Sequence, residues 1–98
     1  MMNCRIWAGG TSIFIGPAHG ILVPGSEGEL GILPGHISLT TTLISGIVRI
    51  FYEKKSVSIE VSGGVFLVEG DQVTLWTSCA SILDTIEESM EHWIPVKS

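Results

Sequence analysis

Ser56-Val57-Ser58-Ile59-Glu60-Val61-Ser62 alternates polar and apolar residues without a break. Side chains leave a strand on alternate sides, so Val57, Ile59 and Val61 form one face that must enter a core, with the serines and Glu60 on the other. Outward toward the N-terminus, residues 47–52 read as a partner strand, and Glu53-Lys54-Lys55 is short and polar enough for a hairpin connection. Toward the C-terminus, Gly63-Gly64 interrupts the run, residues 65–69 resume it, Gly70-Asp71 turns the chain, and residues 72–77 alternate again. These four segments are expected to form a meander.

The first half is less regular, but residues 4–8, 12–15, 20–23, 30–33 and 39–44 all read as short strands. Twelve glycines and four prolines fall between such segments, the punctuation of an all-β sandwich or barrel. Pro17, Pro24 and Pro34 are expected at turns or strand ends, because proline cannot donate to a sheet ladder. Gly16-Pro17-Ala18-His19-Gly20 is turn-rich and should split the second strand into two pieces. The pattern changes at Ser81. Leu83, Ile86, Met90 and Trp93 then share one helical face, Ser81 or Asp84 can cap it, and Pro95 stops it. The spacing predicts a short helix over residues 81–94 following a β-domain of residues 1–80. A helix of about 10–12 residues is marginal alone in water, so it must dock on the sandwich or on a partner.

At 98 residues the chain fits one domain. Apolar residues make up 45% and charged residues 15%, too hydrophobic for a disordered chain. Apolar runs such as Val65-Phe66-Leu67-Val68 hold four residues, where a spanning helix needs about 20, so a soluble protein is expected. A net charge of −5 gives no attraction to phosphate backbones, which argues against a nucleic-acid partner. The start lacks a basic region followed by an apolar stretch, so a cytoplasmic location is expected. Cys4 and Cys79 form no Cys-x-x-Cys pair and read as reduced thiols.

Candidate chemistry is sparse. Gly25-Ser26-Glu27-Gly28-Glu29-Leu30-Gly31 is glycine-rich, but a phosphate cradle wants a Lys followed by Ser or Thr, and two carboxylates would repel the ligand. Gly-x-Ser-x-Gly is missing, and His19, His36 and His92 share no metal-ligand spacing with each other or with the cysteines. Glu27 and Glu29 have nothing apolar nearby to raise a pKa for acid–base work, and Lys54-Lys55 beside Glu53 reads as a solvated turn rather than a carrier-domain lysine. No catalytic residue, metal site or cofactor is expected.

Residues 25–36, GSEGELGILPGH, resemble the signature of the epsilon subunit of F-type ATP synthases, the counterpart of the mitochondrial delta subunit. Gly46 with Ile47-Val48-Arg49-Ile50, Val61-Ser62-Gly63-Gly64-Val65 and residues 68–77 resemble further family segments in the same order, so the similarity covers roughly residues 3 to 81. The resemblance implies a flattened sandwich of two roughly five-stranded sheets with one short C-terminal helix. It also implies a non-catalytic central-stalk subunit that couples the c-subunit ring to the gamma subunit for ATP synthesis. Such a subunit sits peripherally at the cytoplasmic face of the bacterial inner membrane. Carried over by position, Ser26, Glu27, Gly28, Glu29 and Gly31 would face the ring, Glu29 foremost, and His36, Leu39 and Thr40 would face gamma. Two roles fit several of these. Gly25, Gly28, Gly31 and Gly35 can equally supply backbone angles for tight turns, and His36 can cap a turn. With one short helix after the sandwich, neither the family's long inhibitory helical hairpin nor its ATP site is expected. Ser38 stands where the family often has proline. The alternative is a free-standing β-sandwich module that binds a protein or ligand through the glycine-rich loop.

Overall fold

Cross-strand pairing sorts eight strands into two layers, and burial alternates along several of them. The computed structural model describes residues 1–35 and 37–87, with side chains for residues 1–35 and 38–83. The strands are β1 (Met2–Ala8), β2 (Thr11–Ala18), β3 (Gly20–Gly25), β4 (Gly28–Ile32), β5 (Ile37–Tyr52), β6 (Lys55–Gly70), β7 (Gln72–Thr77) and β8 (Ala80–Glu87). They follow the order β2-β1-β7-β6-β5-β3-β4, and β8 also pairs with β6. The β1–β7 pair is parallel and the others are antiparallel.

The two 16-residue strands β5 and β6 serve both layers. Residues 65–69 of β6 pair with β7, whereas residues 55–61 pair with β8. β3 likewise joins β5 at Leu43, near its midpoint, and at residues 49–51 in its second half. One layer is therefore β2-β1-β7 with the end of β6 and the start of β5. The other is β8 with the start of β6, the end of β5, β3 and β4. This is the expected pair of five-stranded sheets.

The layer change has a chemical cause at Gly63-Gly64, whose φ angles are 96° and 143°. A Cβ on Gly64 would overlap the carbonyl oxygen of Trp76, so no side chain fits where β6 leaves β8 for β7. Across this point the inward positions change parity, from Ile59 and Val61 to Phe66 and Val68, and in β5 from Leu43 to Val48 and Ile50. Met2, Cys4, Ile6, Ile21, Val23, Val73 and Leu75 complete the core between the layers. Each large side chain so buried contributes roughly 1.5–3 kcal/mol.

Several sequence expectations change here. Residues 56–62 and 65–69 are one strand rather than two, because the glycines bend β6 without ending its pairing with β5. The meander therefore has three strands. β2 runs unbroken through Gly16-Pro17, since it is an edge strand whose outer side needs no N–H. Residues 81–87, the first half of the expected helix, lie in β8 and extend the sandwich past residue 80. Among the described residues the first half of β6 has no other neighbour on that side, and a cross-strand ladder satisfies backbone groups that a marginal helix would have to satisfy alone. The ladder skips Leu83, passing from Ile59↔Ile82 to Ser58↔Asp84. Residues 88–94 of the expected helix lie outside the described residues. The turn between β5 and β6 is Glu53-Lys54, with Glu53 supplying a positive φ of 54°, as two-residue hairpins require.

Candidate functional site: an acidic tip and an apolar face

β3 and β4 form a hairpin whose last pair is Gly25↔Gly28, leaving Ser26 and Glu27 as its tip. A Cβ on Gly25 would come within 2.6 Å of the Gly28 carbonyl oxygen, and Gly28 has φ 128°. The turn thus depends on glycine at both ends. Ser26, Glu27, Gly28 and Glu29 are all exposed, so two carboxylates project from a tightly closed loop. Along β4, Leu30 packs against the core and Ile32 is buried within it, which sends Glu29 and Gly31 to the opposite side. Gly31 stands in the strand opposite Leu22 rather than in a turn.

The tip rests on β5 where that strand passes between layers. Gly25 pairs with Leu43, the Ser26 N–H donates to the Thr42 carbonyl at 3.0 Å, and the Ser26 and Thr42 hydroxyls lie 2.9 Å apart. The Thr41 hydroxyl also donates to the Thr42 carbonyl, at 3.3 Å.

Farther along the same strand, Thr40 is exposed on the outer face and Leu39 packs against the core, so the two divide between opposite sides of the sheet. His36 lies outside the described residues. Of the expected ring-facing residues, Ser26 and Glu27 form the tip, Gly28 closes it, and Glu29 and Gly31 follow in β4 on the side away from the core, while Thr40 belongs to a separate surface.

That surface was not anticipated from the sequence. Register partners share a face, so the outer side of the first layer carries the row Ser12, Trp7, Trp76, Val65, Thr42. The next row is Ile15, Arg5, Thr74, Leu67, Thr40. Ile15 is 66% exposed, Trp76 45% and Val65 41%, while Trp7 and Leu67 are half-buried. Apolar residues at outward parity were the available signal: Trp76 follows Gln72 and Thr74 on the polar side of its strand.

At the same end of the sandwich, the Ser62 hydroxyl lies 2.8 Å from that of Ser78 and 3.3 Å from that of Thr77. The Ser62 hydroxyl also accepts from the Cys79 N–H at 3.1 Å. Beside this cluster a depression of about 300 Å³ is lined by Ser45, Glu60, Val61, Ser62, Cys79, Ala80 and Ser81. A ligand-binding module using the glycine-rich loop would need its pocket along residues 25–36, and none of these lining residues comes from there. Among the described residues no group of His, Cys, Asp and Glu is arranged to hold a metal ion, and no helix is long and apolar enough to cross a membrane. Burial pushes the Cys4 thiol up to about 12.

Residues 1–81 match the family described as "ATP synthase, Delta/Epsilon chain, beta-sandwich domain". The chain belongs to that family. Its relatives include the ATP synthase epsilon chains of Prochlorococcus marinus strain MIT 9303, 38% identical over 86 residues, and strain MIT 9211, 35% identical over 88 residues. These alignments cover 88% and 90% of this chain and 65% of each relative, so the chain spans just under two thirds of their length. Among solved structures, it is similar to a chain of the Euglena gracilis mitochondrial ATP synthase, "OSCP/F1/c-ring in rotational state 1". That match has a TM-score of 0.78 and 27% identity, covering 85% of this chain and 56% of the other. A chain of the Tetrahymena thermophila mitochondrial ATP synthase central stalk and c-ring shares the fold, with a TM-score of 0.60 at 15% identity. The two-layered sandwich set by strand register is thus the fold of this family's β-sandwich domain.

Proposed function

We propose that this chain is a non-catalytic subunit of the ATP synthase central stalk, coupling the c-subunit ring to the gamma subunit during ATP synthesis. One observation carries the proposal: strand β5 joins two unlike contact surfaces, the acidic tip at Ser26-Glu27 and the apolar face around Trp76 and Val65. A coupling part needs two such surfaces on one stiff body, and a close-packed sandwich with a shared core resists shear between them. The Euglena relative comes from an assembly whose name includes F1 and the c-ring, which supports the same role.

The tip suits the ring. Carboxylates of Glu27 and Glu29 can accept hydrogen bonds from basic or amide side chains of ring loops, and the flanking glycines let backbones approach closely. Glu29 is the foremost contact, with Ser26, Gly28 and Gly31 beside it. The outer face suits gamma. Aromatic side chains anchor protein interfaces, and Trp7 and Trp76 lie side by side there with Val65, Leu67 and Thr40. The subunit then associates with the membrane only through the complex, at the cytoplasmic face in a bacterium.

The test is capture of purified gamma subunit and c-ring by the immobilised chain, separately and together. Retention of both is expected, gamma through the apolar face at moderate salt and the ring with strong salt dependence. Recovery of neither would overturn the assignment.

A further inference from the structure

We propose that Thr42 is a positioning residue that locks the Ser26-Glu27 tip to the β5 corner, so that force applied at the tip is delivered to the Trp76–Val65 face. Thr42 stands at the meeting point of the two surfaces. Its carbonyl accepts from the Ser26 N–H, its hydroxyl meets the Ser26 hydroxyl, and its register partner is Val65, which in turn pairs with Trp76. Backbone pairing ties the rest of the tip to β5 at Gly25↔Leu43, because the β3–β5 ladder shifts between Leu22 and Gly25, where the Pro24 ring packs over Gly46 without a hydrogen bond. Pro24, inside that gap, has no N–H to offer. A two-strand hairpin is marginally stable by itself, so without the Thr42 contacts the tip would bend at the gap under load.

This role rests on the rotor-subunit function proposed above, and the experiment separates the two. Amide hydrogen exchange is measured on the full chain for wild type, Thr42→Val, Thr42→Ser, Ser26→Ala and the double variant Ser26→Ala/Thr42→Val. Valine keeps the branched shape and removes the hydroxyl. Losing one net hydrogen bond corresponds to roughly fivefold faster opening, so the amides of residues 26–28 should exchange about that much faster in Thr42→Val. Amides of β6 and β7 should not change. Thr42→Ser should restore the wild-type rate, and the double variant should be no faster than either single one, because both remove the same contact. In the reconstituted enzyme, protons pumped per ATP hydrolysed should fall in Thr42→Val at high opposing gradient and recover in Thr42→Ser.

Unchanged exchange at the tip would overturn the lock. Faster exchange with undiminished pumping would overturn the delivery of force through it. Recovery of neither gamma nor the ring by the wild-type chain would instead overturn the function, whatever the exchange rates.

Discussion

Replacing Gly64 with alanine adds one methyl group at the point where β6 crosses from one layer to the other. Two costs arise together. At φ 143° the backbone lies in a region essentially reserved for glycine, worth roughly 1–3 kcal/mol for any other residue. The new Cβ would also overlap the Trp76 carbonyl, and forcing β6 and β7 apart in a packed sheet costs roughly another 1–3 kcal/mol. A total near 4 kcal/mol is a large share of the roughly 5–15 kcal/mol that holds a domain of this size. Urea unfolding followed by tryptophan fluorescence should show the midpoint falling by about 2 M, with a denaturant slope of about 2 kcal/mol per molar. Gly10→Ala is the control, since Gly10 also has positive φ, 86°, but nothing lies within 4 Å of its Cβ position. It carries only the backbone cost, roughly 1–2 kcal/mol. If the two variants unfolded at the same urea concentration, the steric account of the layer change would be wrong.

Glu29→Gln should leave unfolding within about 0.5 kcal/mol of wild type, because the side chain is exposed, while weakening c-ring capture and flattening its salt dependence. An unaltered salt slope in that capture would remove Glu29 from the contact. Trp76→Ala should lower stability by only about 1–2 kcal/mol, since the ring is 45% exposed, yet raise the Kd for gamma by about 30-fold, the equivalent of 2 kcal/mol at an interface anchor. Gamma affinity that falls no more than for an exposed control such as Ile47→Ala would count against the face. Cys79 should react with a thiol reagent in the native chain at pH 8, and Cys4 only after unfolding, giving one accessible thiol before denaturant and two after. Burial raises the Cys4 thiol from 9.0 to about 12, so the folded state holds that proton more tightly. Its contribution to stability is complete below pH 9 and declines as pH rises from 9 toward 12, by at most about 1.4 kcal/mol per pH unit. Cys4→Ala should lack that decline when stability is followed against pH.

The strands were legible in the sequence wherever one face was apolar and the other polar. Ile59, Glu60, Val61 and Ser62 follow that pattern, as do β7 and β1, because a period of two is a local property of side-chain direction, whereas Ser56 is buried and Val57 half-buried on the other side of a register shift at Ser58 and Ile59. The tip was legible as well, since its glycines and carboxylates are contiguous. Tertiary structure alone decided three other things. It joined residues 56–62 and 65–69 into one strand, because pairing with β5 continues past a glycine pair that reads locally as a break. It drew residues 80–87 into β8, because the free side of β6 offered hydrogen bonds that helical spacing could not anticipate. It also assembled the apolar face, whose members come from β1, β2, β6 and β7 and meet only through cross-strand register. Local sequence determines which side of a strand is apolar, but which strands become neighbours depends on contacts between residues far apart in the chain.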